Sequence, residues 1–245
     1  MDFASFYPLL HAAFVENGLE RFANEPHARR FHALCEHMLT VNQSMNLTAI
    51  REEKGVILRH FADSLTIEPY IPEGARIIDV GCGAGFPCLP LAICRPDLAI
   101  TALDSTAKRI TYVQDTAARL GCTNLTAIAA RAEEQGKGPL RERFDVCTAR
   151  AVAALPVLAE LCLPLVRAGG IFLAMKATRG DEELESARTA IGQLGGKVEH
   201  VHRITLRSPF EEQESDTRII IAVRKERPTP AEYPRAFARI QKKPL

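Results

Sequence analysis

The chain has 245 residues, 47% of them hydrophobic and 25% charged, with a formal net charge of +1. This balance excludes a mainly disordered, fibrous or collagen-like chain and does not by itself call for a polyanionic partner. The seven cysteines include no Cys-x-x-Cys pair, so neither a disulfide framework nor a zinc finger is signalled and a reducing, cytoplasmic setting is expected.

Residues 1–70 read as a helical extension packed on a larger domain. Leu9, Leu10, Ala13 and Phe14 recur at helical spacing, and Phe31, Leu34, Cys35, Met38 and Leu39 do so more clearly. The start, Met1-Asp2-Phe3-Ala4, lacks the basic stretch and apolar run of a signal peptide. The polar run Asn42-Gln43-Ser44-Met45-Asn46 reads as a loop. Val56, Leu58, Phe61 and Leu65 mark another helix, and Pro69 and Pro72 close this part.

Residues 71–224 read as the main domain. Strands are predicted at Arg76–Val80, Ile100–Leu103, Leu125–Ala129, Phe144–Ala149, Ile171–Met175, Val198–Leu206 and Arg218–Arg224. Helical patterns lie at Pro87–Cys94, Lys108–Leu120, Leu155–Val166 and Glu182–Gly192. Repeated β-α units predict an α/β fold with a largely parallel sheet covered on both faces. Two successive strands at the end predict an antiparallel hairpin on one edge. No apolar run approaches the roughly 20 residues that span a membrane.

Residues 225–245 read as a tail in which Pro228, Pro230, Pro234 and Pro244 oppose regular structure. From Arg224 to the end there are seven Lys/Arg against two Glu, while the rest of the chain is net −4. This asymmetry points to an anionic partner, and a solvated terminus is the competing reading. On the first reading, removal from Arg224 onward spares ligand binding by the body and weakens action on that anionic partner. Tyr233 and Phe237 are residues that can instead pack on the body.

The most informative stretch is Ile77-Ile78-Asp79-Val80-Gly81-Cys82-Gly83-Ala84-Gly85-Phe86-Pro87, a strand, a tight glycine turn and a helix start. The dinucleotide fingerprint G-x-G-x-x-G is met by Gly81 and Gly83, but its third position is Phe86. The third glycine falls one residue early, at Gly85. Such a G-x-G-x-G after an acidic strand end is a pattern of S-adenosylmethionine enzymes. No Gly-Lys-Ser/Thr follows, so this is not a phosphate loop. Asp104 ends the next apolar run, 23 residues after Gly81, about where a carboxylate meets an adenosine ribose. A helix N-cap is its competing role. His60 and Asp63 sit at i and i+3, with no further ligand at metal-like spacing.

With these residues in place, the chain resembles the RsmG/GidB family of bacterial small-subunit rRNA methyltransferases, from about residue 30 to the end. The resemblance rests on an ordered set: Asn46-Leu47-Thr48-Ala49-Ile50, Arg59-His60-Phe61-Ala62-Asp63-Ser64-Leu65, the glycine loop, Leu103-Asp104-Ser105, Arg131-Ala132-Glu133, Ala149-Arg150-Ala151, Lys176, and the tail from Thr229 to Leu245. It implies a class I, Rossmann-like methyltransferase with a seven-stranded sheet. It also implies methylation of N7 of one guanine, guanine 527, in 16S rRNA of the small ribosomal subunit, with S-adenosylmethionine converted to S-adenosylhomocysteine. Gly81, Phe86, Ala132, Glu133 and Arg150 match the family's cofactor positions. Asp104 matches the ribose position of class I methyltransferases more generally, and Gly83 and Gly85, with Gly81, are expected to border the methionine part of the cofactor. Candidate RNA contacts are Arg59, His60, Lys108, Arg109, Lys176, Arg235, Lys242 and Lys243. No metal is implied, and a surface built for a ribonucleoprotein favours a monomer. Cys82, Cys88 and Ala177 depart from the family pattern, where Thr or Ser, Gly, and Gly are usual.

Guanine N7 carries an in-plane lone pair and no proton, so its methylation requires no general base. Holding nucleophile, methyl carbon and sulfur in line can supply about 7–11 kcal/mol of the barrier. Three other readings compete: a class I methyltransferase with a small-molecule or protein substrate, an NAD-dependent oxidoreductase, and a silent RNA-binding module on the same scaffold.

Overall fold

A computed structural model describes residues 1–178, 180–211 and 214–245. Helix α1 (Phe3–Glu16) starts at Asp2, whose carboxylate accepts the Ser5 N–H at 2.8 Å. Helix α2 (Glu25–Met45) is capped in the same way by Asn24. The predicted loop at residues 42–46 is instead the end of α2. Its polar residues remain helical because Asn42, buried, spends its side chain on the segment beyond. Its Nδ2 donates to Thr48 O at 3.0 Å, and its Oδ1 accepts the Thr48 N–H at 2.9 Å. Asn46 then ends the helix in the left-handed region, at φ 51°.

The next helical stretch is continuous but irregular. It runs from α3 (Glu53–Val56) through a π-helical stretch at Ile57–Ala62 into α4 (Asp63–Leu65). Such wide turns are uncommon and cluster at functional sites. Here the stretch carries Arg59 and His60 and delivers Asp63.

The sheet comprises β1 (Arg76–Val80), β2 (Ala99–Asp104), β3 (Leu125–Ala129), β4 (Phe144–Arg150), β5 (Val166–Lys176), β6 (Gly196–Leu206) and β7 (Asp216–Lys225). Its order is β3-β2-β1-β4-β5-β7-β6. The first five strands pair in parallel, while β7 is antiparallel to both β5 and β6. All seven predicted strands are present, and the terminal hairpin lies at one edge with β7 on its inner side.

Alternation along the strands supplies two apolar faces. Ile77, Ala102, Leu173 and Ile220 join a core with α1, α2, α5 (Cys88–Cys94) and α6 (Ala107–Arg119). Ile78, Leu103, Phe172 and Ile221 join a second core with α8 (Leu155–Cys162) and α9 (Gly180–Gln193). A short helix, α7 (Ala132–Lys137), follows β3. Among the described residues, no helix is long and apolar enough to cross a membrane.

The tail is folded, not free. After the prolines it forms α10 (Phe237–Lys242), with Ile240 fully buried in the second core. Arg141 donates to the carbonyls of Thr229 and Tyr233 at 2.6 and 2.8 Å. Lys225 is wholly buried, and its ammonium donates to Leu163 O, Thr229 Oγ1, Val166 O and Glu142. Burial pushes its pKa down to about 8.

Candidate functional site

The glycine turn lies at the carboxyl end of β1. Gly81 and Cys82 both donate their N–H to Leu103 O, at 2.7 and 3.1 Å, tying the ends of β1 and β2 together. Gly81, Gly83 and Gly85 have φ of 72°, 56° and 87°, so the turn requires glycine's left-handed freedom. A Cβ on Gly81 would also lie 2.5 Å from Val152 Cγ2. Asp79, buried just before the turn, accepts from Thr148 Oγ1 and from the Cys88 N–H. Burial pushes its carboxyl up to about 6.

Asp104 is fixed by this turn. Its Oδ2 accepts the Gly83 N–H at 3.1 Å, and its Oδ1 accepts the Thr106 N–H at 2.8 Å. The helix-cap position of α6 belongs to Thr106, so Asp104 does not serve as the N-cap. A cleft of about 440 Å³ opens beside it, lined by Gly81, Asp104, Arg109, the run Ala130–Glu133, Val152 and Phe237. The size suits a nucleoside. Apolar walls for a base, a rigid carboxylate for a ribose diol and glycine backbone that no Cβ obstructs fit S-adenosylmethionine. Of the cofactor candidates, Gly81, Asp104, Ala132 and Glu133 line this cleft. Gly83 and Gly85 shape the turn behind it.

A second cleft, of about 780 Å³, adjoins the first, and both are bordered by Ala151 and Val152. Ala151 has a left-handed φ of 56°, a strained conformation of the kind that gathers at active sites. Val152 is 38% exposed. Arg59, His60, Asp63, Arg150, Lys176, Glu183, Asp216 and Arg218 line the second cleft.

These charges form one network. Arg150 Nη1 donates to Asp63 Oδ2 at 2.8 Å and to Arg59 O at 3.1 Å, while its Nη2 donates to His60 Nδ1 at 3.3 Å. Arg218 approaches the other Asp63 oxygen at 2.8 Å and Asp216 at 2.6 Å. His60 Nδ1 accepts from a guanidinium, so the ring proton sits on Nε2, which donates to Thr48 Oγ1 at 2.9 Å. Burial and then Arg150 push the His60 pKa down to about 3. Its ring stacks on Phe86, and the Arg150 guanidinium lies 5.5 Å from that same ring centroid. Lys176 donates to Ala153 O at 2.6 Å and pairs with Glu183 at 2.7 Å.

The structure thus brings Arg59, His60 and Lys176 to one cleft and leaves Arg109 at the edge of the other. Lys108, Lys242 and Lys243 are exposed and line neither. Arg235 is turned inward, onto the fully buried Glu160 at 2.5 Å. Sequence reasoning passed over Arg218, Thr48 and Asn42. The Asn46–Ile50 match held the only hint of Thr48.

The strand order and the cleft between Gly81 and Asp104 define a class I S-adenosylmethionine-dependent methyltransferase. An S-adenosylmethionine-dependent O-methyltransferase from Thermotoga maritima has the same fold, with a TM-score of 0.50 at 18% identity over 79% of this chain and 73% of that one. The family described as GidB, rRNA small subunit methyltransferase G, matches residues 27–210. "Ribosomal RNA small subunit methyltransferase G" of Deinococcus radiodurans is 46% identical over 86% of this chain and 82% of its own. The protein of that name from Geobacillus sp. is 42% identical over 100% of both chains. The chain belongs to this family of rRNA methyltransferases.

Proposed function

We propose that the protein transfers a methyl group from S-adenosylmethionine to N7 of one guanine, guanine 527, in 16S rRNA of the small ribosomal subunit, releasing S-adenosylhomocysteine. We place it in the cytoplasm as a monomer. The observation that carries this reading is the meeting of a nucleoside-sized cleft and a cation-rimmed cleft at Ala151 and Val152.

When bound, the cofactor supplies an electrophilic methyl on a positively charged sulfur. Asp104 accepts from the ribose hydroxyls, with the Gly83 and Thr106 amides holding its carboxylate still. Glu133 stands at the adenine end. Arg150 lines the second cleft, and its guanidinium lies 5.5 Å from the buried ring of Phe86, the residue that follows the glycine turn. In the second cleft, Arg59, Arg218 and Lys176 offer positive charge to the RNA backbone, which mainly fixes its position.

Among the described residues of the second cleft, the proton acceptors are already engaged, Glu183 with Lys176 and Asp216 with Arg218. Both nitrogens of His60 are engaged, and the Asp63 carboxylate is shared by two guanidiniums. A ring nitrogen with a free lone pair needs no such acceptor. Its methylation moves the positive charge from sulfur to the guanine, and alignment is the main task left to the protein.

The test is transfer of labelled methyl to small subunits, and to naked 16S rRNA, from cells lacking the enzyme. Chemical cleavage at 7-methylguanine maps the product. Label at a single guanine N7 is expected. Absence of label from a protein that binds S-adenosylmethionine would overturn the substrate assignment.

A further inference from the structure

The C-terminal tail supplies one wall of the nucleoside cleft. Phe237, the first residue of α10, lines it together with Ala130, Ala132, Glu133 and Leu161. The Arg131 guanidinium lies 5.7 Å from the Phe237 ring centroid. Phe237 is thus grouped with Arg131 and with the cleft residues that follow β3, the side opposite the glycine turn on which a purine would extend from a ribose held by Asp104.

Three fastenings hold this wall. Glu160 is fully buried in α8, next in sequence to Leu161 of the cleft. It accepts the Arg235 N–H at 2.8 Å and pairs with the Arg235 side chain through Nε and Nη2. Gly136 of α7 lies against Pro234, and a Cβ there would come within 3.1 Å of Pro234 Cγ. Arg141 clasps the backbone at Thr229 and Tyr233. Each anchor sits one or two residues from Phe237 or from a cleft-lining residue, or holds the run that leads to them.

We propose that Phe237 packs against the purine of the adenosine cofactor, so that the tail is a part of the cofactor site and not an arm for RNA. The proposal rests on the reading of the first cleft as the S-adenosylmethionine site. A flat apolar ring is well matched to a purine face, and such contacts depend little on exact orientation. Arg235, whose side chain is spent on Glu160, serves the docking. Removal from Arg224 onward would then abolish cofactor binding, against the expectation from charge alone. It would also cut into β7, which runs to Lys225.

The chain contains no Trp, so full-length Phe237→Trp carries a single indole at this wall. S-adenosylhomocysteine is titrated into it with fluorescence detection, alongside calorimetry on the wild type and Phe237→Ala. Saturable change in the indole emission is expected, with affinity about tenfold weaker for Phe237→Ala and near wild type for Phe237→Trp. Unchanged emission, while calorimetry shows S-adenosylhomocysteine binding to Phe237→Trp, would overturn the proposal. Full affinity in a folded Phe237→Ala would also overturn it. Failure of the wild type to bind would instead overturn the cofactor reading on which it rests.

Discussion

The imidazole of His60 lies flat on the ring of Phe86, with centroids 4.5 Å apart and planes 7° from parallel. This contact joins the N-terminal helices to the glycine turn. Thr48 holds one edge of the imidazole and Arg150 the other, so residues from four separate stretches set one ring pair at the side of the second cleft.

Acid should loosen this arrangement. The unfolded chain protonates His60 near pH 6.5, whereas the folded protein keeps it neutral down to about pH 3. Between those values the unfolded state binds the extra proton, so stability from this group is present above about 6.5 and lost as pH falls. The slope is at most about 1.4 kcal/mol per pH unit. Asp79, raised to about 6, acts in the opposite sense between its unfolded value of 3.8 and that pH. Urea unfolding near pH 5 and near pH 7 should show a smaller acid loss in His60→Asn than in the wild type. Equal losses would remove His60 as the cause.

Asp63→Asn should cost about 1.5–3 kcal/mol of stability, the range for hydrogen bonds to charged groups. Two half-buried guanidiniums, those of Arg150 and Arg218, would lose their shared carboxylate. Methyl transfer should fall further than stability does, because Arg150 and His60 would lose their fixed orientation. Single-turnover rates under conditions where the variant is fully folded would check this.

Gly81→Ala should be more damaging than Gly83→Ala. Each forces alanine into a left-handed φ at about 1–2 kcal/mol. Only at Gly81 does the new methyl meet Val152, while around Gly83 the space is open apart from the Gly81 carbonyl at 3.9 Å. The double variant Gly81→Ala, Val152→Ala should recover part of the cofactor affinity lost by the first change alone. Calorimetry on the four proteins closes the cycle.

Asp104→Ala should weaken S-adenosylmethionine binding ten- to a hundredfold, about 1.4–2.8 kcal/mol. It removes the proposed ribose partner and also strips the Gly83 and Thr106 amides of their acceptor. Unchanged affinity would reject the ribose role.

The sheet was legible because its strands are short apolar runs separated by amphipathic helices. Gly81 and Asp104 stood out for a related reason, since each sits where such a strand ends, and both line the first cleft. What escaped were contacts that local pattern does not encode. Asn42 looked like a loop residue because nothing nearby shows that its side chain reaches Thr48. Arg218 meets Asp63 across most of the chain's length. The charge of the tail pointed outward, although Arg235 and Lys225 spend theirs on buried partners.

The placement of β7 has a consequence for synthesis. Among the described residues of the finished sheet, β6 pairs only with β7, and β7 also covers the edge of β5. A growing chain delivers β6 first, with nothing to bind, while β5 still presents an open row of hydrogen-bonding groups. Such edges recruit strands from other chains. The nascent protein is therefore most open to mispairing between the emergence of Leu206 and that of Lys225, and the last strand made is the one that seals it.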